Sequence, residues 1–126
     1  MKLQPDPTSV QSISGYGPGW VGVGGEKIIT SVLIGSNGQR ANWPCYSFAD
    51  IGAGHFEQLA QQDAELVIFG SGARIRFPHP SWLAPLIAKK IGLETMDTQA
   101  ACRTYNILAA EGRSVLAALL IESVVA

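Results

Sequence analysis

The stretch Glu94-Thr-Met-Asp-Thr-Gln-Ala-Ala-Cys-Arg-Thr-Tyr-Asn106 constrains this chain most. Leu93 to Met96 has the length and character of a short strand. Asp97 or Thr98 then offers a side-chain oxygen to the unpaired N–H groups that open a helix. The helix is predicted from about Gln99 to Glu111, where Gly112 ends it. After it, Ser114-Val-Leu-Ala-Ala-Leu-Leu-Ile121 is an apolar run of strand length, suited to burial on both faces.

The same alternation extends upstream. Leu66-Val-Ile-Phe69 is a compact apolar run between Asp63 and Gly70 and predicts a second doubly buried strand. Gly70-Ser-Gly72 turns the chain, and Arg74 to Phe77 is expected to form a short strand. A helix is predicted over Ser81 to Ile91, with Leu83, Leu86, Ile87 and Ile91 at helical spacing and Lys89 and Lys90 in its last turn. His55 to Gln62 predicts a shorter one. The amino half is different: Ile13 to Gly35 is β structure punctuated by glycine. Gly24-Gly25 supplies the positive φ of a tight hairpin between Trp20–Val23 and a strand over Lys27–Ile34. Asn37-Gly38 marks a further turn, and Arg40 to Gly54 is expected to be loop. A β amino half followed by β-α-β-α-β gives a layered α/β fold.

The 126 residues fit one domain, expected over 13–126, with 1–12 as a loose arm containing Pro5 and Pro7. A hydrophobic content of 47% is that of a packed core, and the net charge of −1 argues against bulk attraction to nucleic acid or anionic lipid. Cys45 and Cys102 lack the C-x-x-C pairing of a zinc ribbon or redox motif. No apolar run opens the chain, and the apolar tail from Val115 is too short to span a bilayer. The expected location is the cytoplasm, with reduced thiols.

Several polar groups invite a functional reading. Asp97 and Thr98 can cap the helix, and its positive end can also hold an anion or a ligand oxygen. Thr98, Cys102, Tyr105 and Asn106 fall on one side of that helix. They form either a cleft wall or a hydrogen-bonded core stripe, while Ala101, Thr104, Ile107 and Leu108 form the side better suited to burial. Cys102 lies where the helix dipole can lower a thiol pKa, but free cysteine is commonly buried. Nothing in the sequence brings His55 or His79 to it as a base. Arg74 and Arg76, two apart on an expected strand, would leave one face and could bind a carboxylate or phosphate, or pair with acidic neighbours. Gly70-Ser-Gly72 precedes an expected strand, not the helix a dinucleotide loop requires. The histidines and cysteines lack metal-ligand spacing. No catalytic set, metal or cofactor is assigned.

Taken together, Met96-Asp-Thr-Gln-Ala-Ala-Cys-Arg-Thr-Tyr-Asn106, Glu111-Gly-Arg113 and the closing apolar run make the chain resemble the Mth938-like domains. Phe69-Gly-Ser-Gly72 and Gly15-Tyr-Gly17 agree with this, and the resemblance covers about Gly15 to Ile121. That family includes uncharacterised bacterial proteins and a mitochondrial assembly factor of respiratory complex I. The resemblance implies a mixed central sheet with helices on its faces and an added β layer from the amino half. It also implies a closing strand antiparallel to its neighbours. It brings no established catalytic residues.

Two functions follow as expectations. One is a non-catalytic interaction module assisting assembly of respiratory complex I, its partners being subunits or assembly intermediates that hold it at the inner membrane. Such a module should expose an apolar patch, for which Trp20, Trp43 and Trp82 are candidates. The other is a small-molecule-binding protein or minor enzyme, with a cleft formed by Asp97, Thr98, Cys102, Tyr105, Asn106 and Arg74 or Arg76. The apolar carboxyl terminus and sparse surface charge also permit a homodimer.

Overall fold

The structure, a computed structural model, describes residues 10–122. The first nine residues of the expected arm and residues 123–126 of the apolar tail lie outside the described residues. The core is a five-stranded mixed sheet in the order β5-β4-β8-β6-β7, formed by β4 (Val32–Gly35), β5 (Arg40–Asn42), β6 (Leu66–Gly70), β7 (Gly92–Met96) and β8 (Val115–Leu119). A separate three-stranded antiparallel sheet holds β1 (Ile13–Gly17), β2 (Trp20–Val23) and β3 (Glu26–Ile28). Among the described residues, three α-helices cover the central sheet: α1 (Ala53–Ala60), α2 (Ala84–Ala88) and α3 (Thr98–Ala110).

The two apolar runs are buried on both sides because successive strand residues point to opposite faces. In β8, Val115, Ala117 and Leu119 join Ile68, Cys102, Tyr105 and the small sheet's Ile13 and Val21. Leu116 and Ala118, followed by Leu120 just beyond the strand, join Val67, Phe69, Phe56 and Leu86 on the α1/α2 side. Trp43 packs edge-on against Phe69, with ring centroids 5.8 Å apart.

Several expectations need correction. β8 is antiparallel to β4 but parallel to β6, so it does not oppose both neighbours. A helical crossover from β7 returns the chain to the starting end of the sheet, and β8 therefore runs the same way as β6 and β7. The strand expected over Lys27–Ile34 is two strands in different sheets. The break spans residues 29–31, where the buried Ser31 hydroxyl accepts the Ile121 N–H at 2.8 Å. Arg40–Asn42, expected as loop, pairs with β4 because the Asn37-Gly38 turn closes a tight hairpin. The predicted 81–91 helix is a 3-10 turn at Pro80–Leu83 followed by the short α2, with Pro85 in the opening turn where no N–H is needed. Arg74–Phe77 forms no strand.

On α3 the side of Cys102 and Tyr105 is the core stripe of the two alternatives, while of the side expected to suit burial Ala101 is buried, Leu108 partly so and Ile107 exposed. Ala101, Cys102, Tyr105 and Ala109 are buried, whereas Ile107 is 60% exposed. The inward side carries the polar groups, of which the Tyr105 hydroxyl and the Asn106 amide find backbone partners while the Cys102 thiol is simply buried.

Candidate functional site

Asp97 begins the site as the N-cap of α3. Its backbone is extended and its Oδ1 accepts the Ala100 N–H at 2.9 Å. Thr98 follows with a fully used hydroxyl: Oγ1 accepts the Gly72 N–H at 2.8 Å and donates to the Leu120 carbonyl at 2.7 Å. The Thr98 N–H donates in turn to the Gly72 carbonyl at 2.9 Å. This one residue therefore joins the chain leaving β6, the chain leaving β8 and the start of α3.

A cleft of about 580 Å³ opens here, between the β1–β2 turn at Gly17–Trp20 and the segments Gly72–Ala73, Asp97–Gln99 and Leu120–Glu122. It lies outside the carboxyl ends of the parallel strands, where open α/β sheets place ligands. Its size is within the usual range for small-molecule sites.

The remaining helix residues are not part of it. Cys102 is wholly buried, and burial pushes its thiol up to about 12, the reverse of activation. The Tyr105 hydroxyl, inside the core, donates to the Gln11 carbonyl at 2.6 Å. Asn106 accepts the Ile13 N–H at 2.9 Å and donates to the Ile13 carbonyl at 2.8 Å. Cys102, Tyr105 and Asn106 thus line the seam between α3 and the small sheet. The expected cleft survives only at its Asp97–Thr98 end.

The two arginines are likewise separated. Arg74 is exposed, whereas Arg76 turns inward. Its Nη2 donates to the Ser71 carbonyl at 2.7 Å and to Glu122 Oε1 at 2.6 Å, and its guanidinium lies over the Phe48 ring at 5.0 Å. Arg76 is therefore ion-paired, and no two-arginine anion site forms. Without a neighbouring strand, residues 73–77 fold around the buried Ser71 hydroxyl, which accepts the Arg76 N–H and donates to the Arg74 carbonyl, both at 2.8 Å.

Sequence reasoning missed Ser71, Glu122 and the outward side chains of this loop. Ile75 is 50% exposed and Phe77 70% exposed. Alternation over Arg74-Ile-Arg-Phe77 suggested a strand with Ile75 and Phe77 on the face opposite the arginines, but the segment pairs with no sheet. Of the proposed tryptophan patch, Trp43 is a core residue, 2% exposed, and Trp20 and Trp82 are half-buried.

His55 Nδ1 accepts the Gly52 N–H at 3.1 Å, which leaves its proton on Nε2 for the Pro44 carbonyl at 2.7 Å. His79 caps its own turn by accepting the Ser81 N–H. Among the described residues no three His, Cys, Asp or Glu side chains converge. None of the described helices is long and apolar enough to cross a membrane.

Comparison with known proteins places the chain among relatives. An uncharacterised protein of Rhodobacter capsulatus is 35% identical over 117 residues, covering 93% of this chain and 90% of that protein. The Danio rerio protein named NADH dehydrogenase [ubiquinone] 1 alpha subcomplex assembly factor 3 is 37% identical over 62 residues. That match covers 49% of this chain and only 36% of the factor. The solution structure of a Mth938-like domain protein from Bordetella pertussis superposes with a TM-score of 0.82 at 34% identity, covering 98% of this chain and 94% of that one. A family model described as "Protein of unknown function (DUF498/DUF598)" matches residues 13–120, and the chain belongs to that Mth938-like family.

Proposed function

We propose that this protein is a non-catalytic interaction module that assists assembly of a respiratory NADH dehydrogenase, docking through the loop that carries Ile75 and Phe77. One observation carries the reading: two large apolar side chains stand in solvent on a loop whose backbone is tied down by Ser71 and Arg76. A surface already fixed in shape loses little entropy on binding, which favours affinity. The similarity to an assembly factor supports the choice of partner. In this reading the protein reaches the cytoplasmic side of the inner membrane through its partner.

The test is removal of the protein from its host, followed by native gel electrophoresis with an in-gel NADH dehydrogenase stain. Loss or stalling of the complex is expected, with rescue by the unaltered protein but not by Ile75→Ser/Phe77→Ser. A complex of normal size and amount in the deleted host would end this reading.

The cleft of about 580 Å³ favours a second reading, a small-molecule site at Asp97, Thr98 and Gln99. A ligand screen followed by amide shifts would test it. Shifts confined to Gly17–Trp20 and Asp97–Gln99 would support the site, and a screen without such shifts would count against it.

A further inference from the structure

We propose that residues 71–77 form a strap held shut by a latch between Arg76 and Glu122, and that the latch joins the exposed loop to the cleft. Glu122 follows β8 and lines the cleft, while Arg76 belongs to the loop between β6 and α2. Their contact at 2.6 Å connects two chain segments 46 residues apart. Both side chains are largely covered, 23% and 30% exposed, so the pair is less screened than a surface ion pair.

Arg76 does more than pair. Nη2 and Nε both donate to the Ser71 carbonyl, at 2.7 and 3.2 Å, and the guanidinium rests on Phe48. A lysine has one compact donor head and cannot reproduce that fork. Glu122 is the other half of the latch: from the cleft lining, its Oε1 accepts from Arg76 Nη2 at 2.6 Å.

The strap is also a cleft wall. Gly72 and Ala73 line the cleft, and Ile75 and Phe77 flank the latch on the loop's outer side. Gly72 has φ +99, and a Cβ there would meet both the Glu122 carboxylate and the Arg76 guanidinium. The chain needs glycine at this point for the latch to close. Displacing Arg76 from Glu122 frees the wall and the outward loop together. The coupling stands on the loop geometry and does not depend on the assembly role.

Backbone ¹⁵N relaxation on the intact chain tests this with Glu122→Gln, Arg76→Lys and the double variant. In the unaltered protein, amides 73–77 should show order parameters of about 0.85, as in rigid backbone. Each single variant should lower them below about 0.6, the flexible range. The cleft amides of Gly17, Gly19 and Gln99 should shift in the same variants, while those of Val67 and Leu116 hold. The double variant should be no looser than the worse single one, because a latch already open loses nothing more. If Glu122→Gln loosens the strands as well, Arg76→Lys decides alone: a loosened loop on intact strands supports the latch. Unchanged order parameters at 73–77 in both single variants, or effects that simply add, would overturn it.

Discussion

The Asn106 side chain completes the backbone of Ile13, accepting its N–H at 2.9 Å and donating to its carbonyl at 2.8 Å. Asn106 sits on α3 and Ile13 opens the small sheet, so a single amide joins two layers. An aspartate could accept the N–H but not donate to the carbonyl. Asn106→Ala leaves both backbone groups short of a partner, which costs about 1–3 kcal/mol for a buried group. Chemical denaturation should show that loss, together with faster hydrogen exchange at Ile13. An unchanged midpoint would mean that the small sheet is held by its apolar contacts alone.

At the other end of α3, Asp97→Ala should lower stability by about 1 kcal/mol through loss of the cap, while Asp97→Asn should retain most of it. Thr98→Val removes both the bond from Gly72 and the bond to Leu120, so its effect should be larger, about 1–3 kcal/mol. Thermal unfolding of the three variants checks the order. A Thr98→Val protein as stable as the parent would remove Thr98 from its joining role.

The thiols set an alkaline limit. Burial pushes Cys45 up to about 11 and Cys102 up to about 12, and it raises Tyr105 above the ordinary tyrosine range. In the unfolded chain thiols ionise near 8.5 and tyrosine near 10. Above those values the unfolded state sheds protons that the folded state keeps, so stability falls as pH rises. Each such group contributes a slope of at most about 1.4 kcal/mol per pH unit. The urea midpoint should drop between pH 8 and pH 10.5, and Cys45→Ala/Cys102→Ala should flatten the drop. Below pH 8 neither thiol should react with a disulfide reagent until the protein unfolds. Prompt labelling of Cys102 in the folded state would contradict its burial.

Ile75→Ser and Phe77→Ser should leave stability within about 0.5 kcal/mol, because both side chains are already exposed. Gly72→Ala should destabilise, since it forces a left-handed φ on alanine and crowds the Arg76–Glu122 pair. Comparing the unfolding temperatures of the three variants separates a surface used for binding from one used for folding.

Much of the central sheet was legible in residues 66–69 and 114–121, because continuous apolar runs bounded by glycine and polar residues leave few alternatives to buried strands. The stretch 93–96, with Glu94 and Thr95 inside it, was legible as a short strand and forms the half-exposed edge. The Asp97 cap and the end of α3 near Gly112 were legible for the same local reason. Hairpin chemistry at Gly24-Gly25 also declared itself, since a pair of glycines meets the positive φ of a two-residue turn. The family resemblance added the extra β layer.

Local sequence therefore specifies which segments become strands and helices wherever the cause is local: periodicity, capping and turn residues act within a few positions of one another. The packed fold settles the rest. It sets β8 parallel to β6, since strand direction depends on the path of the crossover. It also buries Cys102 and Tyr105 instead of Ile107, because the small sheet arrives from residues 13–28 and satisfies Asn106 across the seam, while Gln11 just before it satisfies Tyr105. Finally, it separates Arg74 from Arg76 and matches Arg76 with Glu122, 46 residues away. Long-range pairing depends on where folding brings distant segments together, and no local pattern in this chain encodes that meeting.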